Sequence, residues 1–149
     1  MTSDATSHVI RLEGPWEVLG FARAGLQPVF HFRGTLDKTL PEQSMEIERL
    51  EYSRRFNSPT GLSRTDTVMW YAEVAGEMLG IWLNGEPLQW ARNEEPENEV
   101  VTECFADKLR SGQNLLECKL LPYEQGPGPF LLHSRLRISP LAKLGEIAD

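Results

Sequence analysis

The sequence predicts an all-β protein, an antiparallel β-sandwich of jelly-roll type. Three observations carry this. Short segments alternate apolar and polar residues at period two, the signature of a half-buried pleated strand. Turn chemistry separates them, as at Asn84-Gly85, Gly112-Gln113-Asn114 and Gly126-Pro127-Gly128-Pro129. No strand–helix–strand alternation supports a parallel sheet, and a long central loop with returning strands suits a jelly roll better than a plain stack of hairpins.

Taken in order, residues 1–7 are small and polar and read as a frayed end. The sandwich is expected over residues 8–139. His8 to Leu12 alternates. Gly14-Pro15 punctuates, and Trp16 to Phe21 resumes with Trp16, Val18 and Gly20 on one face. Val29 to Phe32 is a short strand between Pro28 and Gly34. Residues 34–45 are turn-rich, with a single helical turn available at Pro41-Glu42-Gln43. Met45 to Phe56 shows both periods. The ending at Asn57-Ser58-Pro59-Thr60-Gly61 resembles a β-element rather than a helix cap, so Leu50–Phe56 is read as a strand.

The central stretch, Thr67 to Trp90, reads as a meander of Val68–Val74, Gly80–Leu83 and Pro87–Trp90. Val68, Trp70, Ala72 and Val74 share one face, Gly76 breaks the run, and Asn84-Gly85 turns the chain. An acidic loop follows at residues 92–99, read as a solvated face. Val100 to Phe105 alternates again, and Asp107 to Leu109 allows one helical turn. Leu115 to Leu121 places Leu116, Cys118 and Leu120 together. Phe130 to Ile138 closes the domain with Leu132, Ser134, Leu136 and Ile138 on one side and Arg135 and Arg137 on the other. Residues 140–149 form a tail, with a short helix expected from Pro140.

At 149 residues one domain is the default. The net charge of −7 argues against a phosphate-binding surface, because such affinity comes from Lys and Arg. No apolar run reaches the length of a membrane span, and the N-terminus has no basic stretch followed by an apolar core. Cys104 and Cys118 read as two small hydrophobes in a reducing compartment, so a cytoplasmic location is expected. No Cys or His pair stands at metal-ligand spacing, and no metal or cofactor is expected. His8, His31 and His133 lie on separate strands, and no nucleophile-elbow pattern supports a hydrolase triad.

Three stretches then line up in order: Tyr52-Ser53-Arg54-Arg55-Phe56-Asn57-Ser58-Pro59; Thr67-Val68-Met69-Trp70 with Ile81-Trp82-Leu83-Asn84-Gly85-Glu86-Pro87-Leu88; and Phe105 to Cys118 through Ser111-Gly112-Gln113-Asn114. With the opening Leu12-Glu13-Gly14-Pro15-Trp16-Glu17-Val18, this set resembles the N-terminal sugar-binding domain of glycoside hydrolase family two enzymes such as β-galactosidases and β-glucuronidases. The likeness runs over residues 10–138. It implies a galactose-binding-domain-like jelly roll. It also implies that a catalytic acid and nucleophile would sit in a separate barrel domain, so this module is expected to be non-catalytic.

Sugar binding needs flat aromatic faces for C–H edges, with Asn, Arg, Asp or Glu reaching hydroxyls. Trp16 and Trp70 share faces with small apolar residues and are assigned to the core. The candidate carbohydrate site is a shallow platform of Trp82 and Trp90 with Arg92, Asn93, Arg55 and Asn57; Tyr71 and Tyr123 are further candidates. The expected function is weak carbohydrate binding by a non-catalytic module. The alternative is a protein–protein interaction or scaffold module without a sugar site, and a small hydrolase ranks third. A sandwich leaves edge strands to be managed, so pairing with a protein partner or in a homodimer is also expected.

Overall fold

The computed structural model describes residues 8–23, 25–41, 46–96, 98–126 and 128–140. The strands are β1 (His8–Arg11), β2 (Trp16–Phe21), β3 (Phe30–Gly34), β4 (Arg49–Asn57), β5 (Asp66–Val74), β6 (Gly76–Leu83), β7 (Glu86–Pro87), β8 (Trp90–Arg92), β9 (Glu99–Thr102), β10 (Gln113–Pro122) and β11 (Leu131–Pro140). They form a five-stranded sheet ordered β1-β11-β5-β9-β8 and a six-stranded sheet ordered β3-β2-β4-β10-β6-β7. All pairings are antiparallel. The architecture is the β-sandwich jelly roll that the alternation implies. One 3₁₀ turn, Ala106–Lys108, takes the place of the helical turn expected at 107–109. The remainder of the Pro41-Glu42-Gln43 turn, and the tail beyond Pro140, lie outside the described residues.

The core forms where the two inner faces meet. Val68, Trp70, Ala72 and Val74 of β5 are buried, as are Leu116, Cys118 and Leu120 of β10 and Leu50, Tyr52 and Phe56 of β4. Trp16 and Trp70 lie at its centre, ring centroids 6.2 Å apart. Each indole N–H is satisfied, as burial demands. Trp16 Nε1 donates to the Leu12 carbonyl oxygen at 2.7 Å, and Trp70 Nε1 donates to Ser134 Oγ at 2.7 Å.

Two expectations are corrected. The central stretch is not a meander. β5 belongs to the five-stranded sheet, β6 and β7 to the six-stranded sheet, and β8 to the five-stranded sheet again. Gly76 does not break a strand but opens β6, at the corner where the chain changes layer. A Cβ there would stand 2.6 Å from the Leu121 carbonyl oxygen, so the close approach requires glycine. Just before it, Ala75 N–H donates to the Phe130 carbonyl oxygen at 2.7 Å. After β7 the buried Leu88 carries the chain back across.

The second correction concerns Leu132. The register of β11 against β5 shifts between Leu131 and His133. The extra residue puts Leu131, fully buried, on the core side with Ser134, Leu136 and Ile138, and leaves Leu132 half-buried.

Candidate functional site

The sequence-predicted residues separate into two groups. Trp82 on β6 and Arg55 and Asn57 on β4 lie on the outer face of the six-stranded sheet, with β10 between the two strands. Trp90, Arg92 and Asn93 lie on or just after β8, the edge of the other sheet. The shared platform expected of Trp82 and Trp90 therefore does not form, because the chain changes layer between them.

Trp90 stands opposite the buried Thr102 and Arg92 opposite the buried Val100, so both face the inter-sheet side. Trp90 packs on the core. Arg92 donates through Nη2 to the Gly76 carbonyl oxygen at 2.9 Å, and Asn93 Nδ2 donates to Glu99 Oε1 at 2.7 Å. Arg92 and Asn93, with Glu94, Asn98 and the exposed Tyr123, line an open recess of about 480 Å³.

Trp82 has a different setting. Ile81 and Leu83 point inward and are buried, so period two turns Trp82 out. A Cβ at Gly80 would collide with the indole. The ring lies against the sheet over that glycine, which supplies a flat seat. Cross-strand register then sets the neighbours. Trp82 stands opposite Glu117, which stands opposite Ser53, which stands opposite Glu17. In the next row Gly80, Lys119, Glu51 and Leu19 follow.

Lys119 Nζ sits 5.2 Å from the Trp82 ring centroid, within cation–π range. Glu51 is held by Arg49 at 2.9 Å and Lys119 at 3.8 Å. Glu117 carries no ion pair among the described residues, which leaves an acceptor-only carboxylate on the residue opposite Trp82. Trp82, Glu117, Lys119, Ser53, Glu51 and Leu19 line a depression of about 310 Å³.

Arg55 continues the same outward face one step past Ser53, and Asn57 ends it. Sequence reasoning did not single out Glu117, Lys119, Ser53 or Glu51. The signal was present, because inward Leu116, Cys118 and Leu120 force Glu117 and Lys119 outward. The register that brings them to Trp82 was not. Beneath the depression, burial pushes the Cys118 thiol above its ordinary value, and the nearby Glu117 carboxylate adds to this. Cys104 and Cys118 are unbridged. Among the described residues no three His, Cys, Asp or Glu side chains gather as a metal group.

No protein-family model and no curated protein sequence matches this chain. Solved structures do. A Bifidobacterium dentium β-glucuronidase complexed with coumarin-3-O-glucuronide aligns with TM-score 0.63 and 13% identity, over 94% of this chain and 31% of that one. A β-glucuronidase from an uncultured Clostridium sp. aligns with TM-score 0.67 and 13% identity, over 94% and 30%. A β-glucuronidase of glycoside hydrolase family 2 aligns with TM-score 0.61 and 10% identity, over 93% and 18%. The fold is thus one found within family-two glycosidases, and this chain spans under a third of the length of those enzymes.

Proposed function

We propose that this chain is a non-catalytic carbohydrate-binding module whose saccharide lies on the outer face of the six-stranded sheet, over Trp82. The observation that carries the reading is the seat of the indole. It lies on Gly80 and shares its depression with a carboxylate that has no ion-pair partner among the described residues, a hydroxyl and an ammonium, Glu117, Ser53 and Lys119. An aromatic face takes the C–H side of a sugar ring, while Glu117 accepts from hydroxyls and Lys119 donates to them. Arg55 and Asn57 extend the same face to further residues of a chain. Arg92 and Asn93 with Tyr123 offer a separate polar recess at the edge of the other sheet.

The binding surface is open and shallow, which suits weak affinity. The non-catalytic reading rests on the resemblance, which assigns the reacting carboxyls to a barrel domain, and on the fraction of the matched enzymes that this chain spans. We place the protein in the cytoplasm, where Cys104 and Cys118 stay reduced. A glycan array followed by calorimetric titration tests the reading. Binding of at least one saccharide, weakened by Trp82→Ala, supports it. A flat response across a broad panel, or turnover of a glycoside by the purified chain, overturns it.

A further inference from the structure

The edge strand β1 is exposed along its whole length, with Val9 48% and Ile10 38% exposed. A sheet edge presents unpaired backbone groups, and proteins ordinarily blunt it. The other edges here are blunted. β7 is two residues with Pro87, β8 is three residues, and β3 carries His31 and Arg33 paired to Glu17. β1 is also short, at four residues, but its Arg11 has no carboxylate partner among the described residues to neutralise it.

The backbone direction of β1 is fixed. Leu12 N–H donates to the Ser134 carbonyl oxygen at 2.9 Å, and the register continues as Ile10 opposite Leu136 and His8 opposite Ile138. Backbone groups alternate sides along an antiparallel strand, so the N–H and C=O of Val9 and Arg11 point away from β11, to an edge with no strand beside it among the described residues.

The two faces flanking that edge differ in chemistry. On the inner side, His8 and Ile10 join Leu62, Pro59, Ile138 and Pro140 around a recess of about 500 Å³, to which Thr60 and Asp66 add polar lining. On the outer side, Val9 stands opposite Arg137, and Arg11 opposite Arg135. Arg135 is paired with Glu99 at 2.9 Å. Arg11 and Arg137 have no carboxylate partner among the described residues; Arg137 lies instead 5.3 Å from the Tyr71 ring centroid. On a chain of net charge −7 these two cations favour an acidic ligand at this edge.

We infer that β1 takes up an extended segment of a partner protein in which acidic and apolar residues alternate, added as a further strand of the five-stranded sheet. Main-chain bonds to Val9 and Arg11 supply the pairing. Acidic side chains reach Arg11 and Arg137 on the outer face, and apolar ones enter the recess on the inner face.

The test is fluorescence polarisation of the full chain with labelled peptides of alternating Glu-Val and alternating Lys-Val. Val9→Pro removes an N–H that β11 does not use, at an edge position where proline is tolerated. Arg11→Glu with Arg137→Glu reverses the charge. The Glu-Val peptide should bind and the Lys-Val peptide should not. Each variant should weaken the first by about tenfold or more, and the reversed protein should gain affinity for the second. Should Val9→Pro fail to fold, the charge swap decides alone. Equal binding of both peptides, binding of neither, or Glu-Val binding indifferent to these changes overturns the inference. So does a dimer that Val9→Pro dissociates, since the edge would then belong to a second copy.

Discussion

The side chains of Asn84 and Asn114 are hydrogen-bonded, Nδ2 of the first donating to Oδ1 of the second at 2.9 Å. One residue belongs to the Asn84-Gly85 turn after β6 and the other to the Gly112-Gln113-Asn114 turn that opens β10. Asn84 Oδ1 also accepts from Leu115 N–H at 2.8 Å, and Asn114 Oδ1 from Arg110 N–H at 2.8 Å. Asn114 Nδ2 donates to the Arg110 carbonyl oxygen at 3.1 Å. Two turns far apart in sequence are thereby locked together, and the register of β10 against β6 follows. Asn84 itself takes φ 52°, a conformation that asparagine tolerates.

Asn114 is fully buried, and Asn114→Ala would leave backbone groups at Arg110 and the Asn84 amide without partners. An expected loss of about 1–3 kcal/mol follows, since the orphaned groups are only part-buried and water can reach some of them. Urea denaturation checks it, through a lower midpoint at unchanged m-value.

Alkaline pH should unfold the protein through two buried acids. Burial raises the Tyr52 hydroxyl above its ordinary 10.0, with the nearby Cys118 second, and burial raises the Cys118 thiol above its ordinary 9.0. Both groups stay protonated in the fold while the unfolded chain ionises. The unfolded state then binds fewer protons, so stability is full below about pH 9 and falls as pH rises beyond it. Denaturation midpoints measured from pH 7 to 10.5 should stay level and then drop. Tyr52→Phe and Cys118→Ala should flatten the drop, each from its own threshold.

Arg54 faces inward among Leu50, Tyr52 and Phe56. Its Nη2 donates to the Gly14 carbonyl oxygen at 3.0 Å, but Nε and Nη1 are buried without partners among the described residues. Burial accordingly lowers its pKa. A desolvated, poorly compensated charge is replaced at little cost by an apolar side chain of similar length. Arg54→Met should match the parent or exceed it by about 1 kcal/mol in chemical denaturation. A loss above about 2 kcal/mol would mean that the guanidinium has a stabilising partner.

Much of the fold was legible because alternation reports directly which face of a strand is buried. Trp70, Ala72 and Val74 on β5, and Leu116, Cys118 and Leu120 on β10, show this. The ordered motifs were legible for a related reason, since the asparagines of two of them, Asn84 and Asn114, are bonded to each other. Alternation carries no information about which strand lies alongside. It therefore could not show that β5 and β6 occupy different sheets, nor that Trp82 and Trp90 do. The bulge that swaps Leu131 for Leu132 was hidden in an apolar pair whose members are interchangeable by residue type. Glu117 and Lys119 could be assigned outward from their neighbours, but only register brings them to Trp82.

The four indole N–H resonances distinguish a saccharide seated on Trp82, as proposed, from one bound elsewhere. Trp16 and Trp70 donate to protein acceptors inside the core and serve as internal controls, while Trp90 marks the opposite sheet. In a ¹⁵N–¹H titration with a saccharide identified on the array, the Trp82 resonance should shift in proportion to occupancy and the other three should hold still. Movement of Trp90 with Trp82 unmoved, or no movement of any indole, would mean that the saccharide does not sit on Trp82.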